Sequence, residues 1–255
     1  MATSARLRMW IPADLLCDMR ISPLAKYLYM LIDLKKPASI SELSRLSGLG
    51  RQLVRKECRA LAEAGWATIV SKPGQTVVLA SIPAAIQEAL AQRLKDDRWA
   101  AAYSGEFLMK AWLDLLVGSD NYVDNCRPAF LAHPATGQLL EYDRYYREGV
   151  AFEYNGRQHY ETTSQYPNEE DLNRLQLRDH IKAALSQKNN VILVEVTDAD
   201  LSLAGMRSKI PDVLPARSVD EDGPYVRMLT RLSEEYTSSC KRARSRDRKN
   251  DRSSG

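Results

Sequence analysis

Two acidic residues facing one another in a short hairpin constrain this chain more than any other feature. Residues 138–160 read as two strands around a short turn at Arg147-Glu148-Gly149. With Tyr146 paired to Val150, the register sets Asp143 opposite Glu153, Glu141 opposite Asn155 and Tyr142 opposite Tyr154. Side chains alternate along a strand, so Glu141, Asp143, Glu153 and Asn155 are expected on one face. Like charges directly opposed on neighbouring strands destabilise the pair. A divalent metal is the simplest group to offset that repulsion, so the hairpin predicts a hydrolytic metal site.

The rest of the chain suits a globular protein with room for two modest domains and a tail: 255 residues, 44% hydrophobic and 27% charged. The four cysteines (Cys17, Cys58, Cys126, Cys240) show no CxxC spacing, which argues against a zinc site or a disulfide framework. Only three histidines are present, too few for a His-rich metal cluster, and His133 and His180 are expected at the surface. No apolar run is long enough to span a membrane, and no secretory signal is visible. A reducing, cytoplasmic setting with no membrane partner is expected, of prokaryotic or phage-like kind. The net charge of +3 is unevenly placed. Residues 241–255 carry seven Lys/Arg against two Asp, a net of +5, and the other 240 residues sum to −2. With almost nothing apolar to bury, that tail is expected to be disordered and suited to sequence-independent phosphate contact.

The N-terminal part changes from helical to extended periodicity. Leu24, Tyr27, Leu28, Leu31 and Ile32 recur at helical spacing. A second short helix with serine caps is ended by Gly48, and a third, basic one runs from Gly50 to Gly65. Residues 66–70 and 76–80 then flank Ser71-Lys-Pro-Gly-Gln75 as a strand-turn-strand. Three helices followed by a hairpin resemble a winged helix-turn-helix domain, over roughly residues 10–82. The resemblance implies that the third helix enters the major groove of DNA and the hairpin touches the backbone or minor groove. Carried onto this sequence, Arg51, Gln52, Arg55, Lys56 and Arg59 are the recognition-helix residues and Lys72 lies on the wing. Gln52, Arg55, Lys56 and Arg59 share one helix face, while Leu53, Val54, Cys58 and Leu61 are expected on the packing side. Dimerisation by such a domain is the competing use.

Residues 83–103 predict a connecting helix, with Ile86, Leu90 and Leu94 in line. Beyond it the expected order is a helix over 105–116, a strand near 129–132, the carboxylate hairpin, a helix over 170–188 and a strand over 191–196. The last strand follows a helix, as in a crossover onto a strand of the hairpin. Glu195 is unusual in so apolar a strand, and no role is assigned to it.

Ser104-Gly-Glu106, Asp143, Glu153-Tyr-Asn155-Gly-Arg-Gln158-His159-Tyr160 and Arg178-Asp179-x-x-Lys182 resemble the PD-(D/E)xK, or restriction-endonuclease-like, nucleases. Within that superfamily they look most like the very-short-patch-repair and EDxHD-type branch, over residues 104–200. The resemblance implies a mixed α/β fold with a small mixed sheet flanked by helices, and Mg²⁺-dependent cleavage of DNA, with Mn²⁺ as a substitute. Glu106, Asp143 and Glu153 would be the metal ligands, oxygen donors of the kind Mg²⁺ prefers. His159 would move a proton, Asp179 would orient it or take part in metal binding, and Gln158 lies in the same turn as His159. One position departs from the superfamily: Asn155 stands where its lysine falls. Lys182, or Arg178 beside it, is the replacement cation. The asparagine also supports a second reading, a DNA-binding or regulatory protein whose nuclease-like domain does not cleave. A homodimer is expected if both strands are cut.

The expected organisation is thus a winged helix over 1–82, a connecting helix over 83–103, a nuclease-like domain over 104–205, a helical extension over 206–240 and the basic tail over 241–255.

Overall fold

The computed structural model describes residues 10–35, 38–156, 169–217 and 219–253. The chain is of the mixed α/β class and divides into two compact units, the boundary falling after Arg93. Among the described residues, one unit holds the chain from Trp10 to Arg93 together with Asp220–Val226; the other holds Leu94 to Arg217, Val219 and the chain from Arg227 onward.

The N-terminal unit comprises α1 (Trp10–Cys17), α2 (Pro23–Lys35), β1 (Ala38–Ser39), α3 (Ile40–Ser47), α4 (Arg51–Glu63), β2 (Ala67–Lys72), β3 (Gln75–Ala80) and the start of α5 (Ala84–Ala100). Its sheet has the order β1-β3-β2 and is antiparallel throughout. Ser39 caps α3, its hydroxyl accepting the Glu42 N–H at 3.1 Å. Gly48 ends that helix at φ 72°, a left-handed conformation in which only glycine escapes a Cβ penalty. The core gathers Leu28, Ile32, Leu43, Val54, Leu61 and Trp66. On α4 the buried positions are Val54, Glu57, Cys58 and Leu61, at the i, i+3, i+4, i+7 spacing of one helix face. Leu53 was expected among them but is 39% exposed, one position off that stripe. Glu57 takes the inward place, where the Ser22 hydroxyl donates to its Oε2 at 2.5 Å.

The C-terminal unit continues with α6 (Ser104–Leu116), β4 (Tyr122–Cys126), β5 (Tyr142–Tyr146), β6 (Val150–Tyr154), α7 (Glu169–Lys188), β7 (Ile192–Val196), α8 (Leu203–Lys209) and α9 (Pro224–Ser253), the last beginning in the other unit. The sheet order is β4-β5-β6-β7, with β4-β5-β6 antiparallel and β7 parallel to β6. Tyr146 does pair with Val150, and Gly149 completes the turn at φ 86°. The first strand lies at 122–126 and not near 129–132, where Ala129–Leu131 is a single 3₁₀ turn. Pro128 just before it cannot donate to a ladder, whereas 122–126 alternates half-buried and exposed positions.

The basic segment also departs from expectation. It is not disordered at its start: α9 carries it as helix to Ser253. Extending an existing helix avoids the cost of nucleation, and α9 is seated by buried Leu229 and Leu232 and by a 3.0 Å bond from Trp112 Nε1 to the buried Ser233 hydroxyl. No helix among the described residues is long and apolar enough to cross a membrane.

Candidate active site

β6 and β7 run parallel, so their C-terminal ends lie together, and Glu153 and Asn155 sit at that end of the sheet. Asn155 extends the pairing, its N–H donating to the Val196 carbonyl at 2.8 Å. One strand over, the β5–β6 ladder stops at Arg144–Phe152. At the next position the Asp143 carboxylate accepts the Tyr154 N–H at 2.7 Å. The side chain thus satisfies a backbone donor that the ladder leaves, and this fixes Asp143 beside Glu153.

Helix α7 supplies the cation. Ile181 and Leu185 pack on the core formed by Leu131, Tyr142, Ala151 and Val191, and the buried Tyr142 and Ser186 hydroxyls are 2.5 Å apart. With those positions held to the sheet, Lys182, one turn before Ser186, is 9% exposed, and its ammonium donates to Glu153 Oε1. Asp179 lies close enough for its charge to act on Glu153.

Both central carboxyl groups are pushed toward neutrality. Burial raises Asp143 from the usual 3.8 to about 6, helped by the charge of Glu106 and opposed by the Tyr154 N–H, Lys182 and Lys110. Burial raises Glu153 from 4.5 to about 7, with Asp143 adding to the shift and Lys182 opposing it. Such pairs of shifted carboxyl groups cluster at functional sites. Among the described residues, Glu153 Oε2 and Asn155 Oδ1 are buried with no hydrogen-bond partner. Unpaired buried acceptors are costly. Two of them, two residues apart in one extended segment, with the Asp143 charge acting on Glu153, form an oxygen-rich set that fits a hard cation.

Glu106 lies in the first turn of α6, and its charge reaches Asp143, but its Oε1 accepts from Lys110 Nζ at 2.5 Å. No three His, Cys, Asp or Glu side chains among the described residues gather as a ready-made metal-ligand group. Glu106 therefore stands near the carboxylate pair without being gathered with it. Glu141, expected on the same face, is bonded to Arg127 Nε at 2.6 Å. Arg178 is exposed on α7. Gln158 and His159 lie outside the described residues.

Three contributors were not legible beforehand. Lys110 joins Glu106 to Asn125, whose Oδ1 it meets at 2.6 Å. The β4–β5 register pairs Asp124 with Arg144 and Cys126 with Tyr142, so Asn125 stands across from Asp143. Its φ is 52°, a left-handed conformation rare for a non-glycine residue, and strain of this kind concentrates at functional positions. The Glu106–Lys110 spacing of four was a readable signal; nothing in the sequence marks Asn125.

Gly105, next to Glu106, is the third. A Cβ there would fall 2.2 Å from the Tyr154 ring. The start of α6 lies against the end of β6 only because residue 105 lacks a side chain. Gly105→Ala should cost about 1–3 kcal/mol by overpacking and displace Glu106 from Asp143. A chemical-denaturation midpoint unchanged from wild type would show that the contact is not tight.

In the N-terminal unit, Arg51, Gln52, Arg55, Lys56 and Arg59 are all exposed along α4. Gln52, Arg55, Lys56 and Arg59 line one open recess with Glu63. Lys72 ends β2, paired with Gln75; its side chain lies outside the described residues. His133, expected at the surface, is half-buried, and its Nδ1 accepts the N–H groups of Ala135 and Thr136 at 3.2 and 3.3 Å. His180 is exposed, as is Glu195, whose carbonyl accepts from Lys209 at 2.9 Å.

No family model matches this chain, and no solved structure does. The chain is similar to two viral proteins. It is 42% identical over 72 residues to Uncharacterized protein 033L of Invertebrate iridescent virus 3, covering 28% of this chain and 37% of that protein. It is 36% identical over 83 residues to Uncharacterized protein 094L of Frog virus 3 (isolate Goorha), covering 31% of this chain and 54% of that protein. The chain thus spans between about a third and about half the length of the relatives it matches.

Proposed function

We propose that this protein is a Mg²⁺-dependent DNA endonuclease, with a winged helix-turn-helix unit that engages DNA and a restriction-endonuclease-like unit that hydrolyses the phosphodiester. The observation that carries the reading is the group at the ends of β5 and β6. Two half-buried carboxyl groups sit together, a lysine 29 residues further along the chain docks on one of them, and Glu153 Oε2 and the neighbouring Asn155 Oδ1 are buried with no partner.

Asp143, Glu153 and the Asn155 side-chain oxygen would hold the cation. When bound, Mg²⁺ lowers the pKa of a coordinated water and polarises the phosphate. Asp143 and Glu153 must be ionised to serve as ligands. Lys182 favours the charged form of Glu153 and supplies positive charge near the phosphate, the part that Asn155 cannot play. Tyr154 fixes Asp143 through its backbone N–H. Lys110 holds Glu106 back from the pair and presents a second positive charge. On the DNA side, Arg and Gln are the side chains that read guanine and adenine edges, which suits the exposed face of α4.

A second reading has its own observation. Glu106 is not gathered with Asp143 and Glu153 into a metal-ligand group, and Asn155 replaces a lysine, as in a DNA-binding protein whose nuclease-like unit does not cleave. Plasmid nicking with Mg²⁺ or Mn²⁺ separates the two. Cleavage by wild type, reduced about 10²–10³-fold in Lys182→Gln, is the expected result. If wild-type protein leaves duplex DNA, single strands and RNA intact with either metal, the binding-protein reading stands in its place.

A further inference from the structure

The C-terminal helix carries charge that the site does not use. Its packed stripe runs from Leu229 through Leu232, Ser233, Tyr236 and Thr237, at the spacing of one helix face, and closes at Arg244. There Arg244 Nη2 meets Asp198 Oδ1 at 2.6 Å, and Asp198 is 5% exposed. The Thr237 hydroxyl donates to the Asp198 carbonyl at 3.0 Å, and the Tyr154 and Tyr236 hydroxyls are 3.2 Å apart. Tyr154 adjoins Glu153, and Asp198 lies two residues beyond Val196, the strand partner of Tyr154. The basic end of α9 is therefore tied, through buried groups, to the sheet end that carries the candidate site.

From Lys241 onward the helix has no apolar residue but Ala243. Lys241, Arg242 and Arg246 are exposed. The sequence adds Arg248, Lys249 and Arg252 before the helix ends at Ser253. A cationic helix with no apolar face has nothing to bury in a lipid interface. Its charge complements a regular line of phosphates.

We infer that the end of α9 is a helical arm that binds the phosphate backbone of duplex DNA without reading sequence. It would hold DNA at the C-terminal unit independently of α4. The site it would serve rests on the nuclease reading above; the binding itself does not.

The test is fluorescence anisotropy with a labelled duplex of arbitrary sequence, in EDTA so that cleavage plays no part, across a salt series. A triple variant Lys241→Gln, Arg242→Gln, Arg246→Gln should bind at least about tenfold more weakly. Its slope of log K against log salt should fall by up to about 2.7, at about 0.9 per lost phosphate contact. A charge-preserving variant (Lys241→Arg, Arg242→Lys, Arg246→Lys) should bind as wild type does, which separates charge from folding. Equal affinity and equal slope in wild type and the Gln variant overturn the proposal. So does binding to phosphatidylserine vesicles in place of the duplex. Binding in this assay, with no nicking of plasmid in Mg²⁺ or Mn²⁺, would instead remove the nuclease reading and leave the arm in place.

Discussion

Asp143→Asn is expected to abolish phosphodiester cleavage while making the protein more stable above neutral pH. Loss of a metal-holding carboxylate should lower the cleavage rate on the order of a thousandfold or more. The stability effect follows from the carboxyl's raised pKa. Asp143 titrates near 6 in the folded protein against an ordinary 3.8, so the folded state keeps a proton that the unfolded chain has already lost. Where the folded state binds more protons, stability falls as pH rises. The fall begins near pH 4, is complete once pH passes about 6, and amounts to roughly 2–3 kcal/mol for this group. Glu153, raised to about 7, extends the same trend toward neutral pH. Asparagine carries no charge to bury, so the variant should melt several degrees above wild type at pH 8 and about half as far above it at pH 5. Thermal unfolding at the two values is the measurement. Mg²⁺ should raise the wild-type melting temperature at pH 8, because a ligand that binds only the folded state stabilises it, and should do little for the variant. Equal melting curves at pH 8, with cleavage retained, would rule out this carboxylate as part of the site.

Arg144→Met should be the most destabilising change of a single side chain in the C-terminal unit. Arg144 is 1% exposed, in the middle of β5. Its guanidinium meets Asp124 at 2.7 and 3.1 Å, Asp114 at 2.6 Å and the Lys110 carbonyl at 3.3 Å, and lies 4.0 Å over the Tyr122 ring. One cation thus joins α6, β4 and β5. Methionine fills much of the volume and supplies none of the donors. Removing one partner of a buried ion pair costs about 3–5 kcal/mol, because the other charge is left uncompensated. Asp114 and Asp124 are 47% and 34% exposed at the side chain and can recover water, so the lower end of that range is expected. Urea denaturation gives the number. A variant as stable as wild type would show that this network contributes nothing net. Because Arg144 makes no hydrogen bond or ion pair to Asp143 or Glu153, cleavage should persist at temperatures where the variant is folded.

What could be seen in the sequence was set by short-range physics. The hairpin register followed from a glycine at the turn, so the Tyr146–Val150 pairing was legible; the ladder ends at Arg144–Phe152, one pair short of the expected Asp143–Glu153 pairing, though the Asp143 charge still acts on Glu153. The α2–α3–α4 helices and the β2–β3 hairpin followed from periodicity, caps and a Pro-Gly turn. The parallel return of β7 followed from a helix leading into an apolar strand. The failures were of other kinds. Leu53 is exposed because a packing stripe can rotate by one residue at no cost in local pattern. β4 was misplaced because its alternation of half-buried and exposed positions is not matched by an alternation of apolar and polar residue types in Tyr122-Val-Asp-Asn-Cys126. The basic segment was expected to be disordered because its composition gives no reason to fold; the packed half of α9 supplies that reason from outside the segment.

The candidate site divides in the same way. The sequence by itself determined that two carboxylates would come near each other at the end of a hairpin, because register is a matter of counting from the turn. It also determined that Asn155 could not carry the positive charge. Only the tertiary structure decided that Lys182 reaches Glu153, since that depends on Ile181, Leu185 and Ser186 seating α7 on the sheet. Likewise it alone placed Lys110 between Glu106 and Asn125, and left Glu153 Oε2 and Asn155 Oδ1 buried without partners. Burial and the contacts between distant segments set the charge state of these groups, and neither is a property of any one stretch of chain.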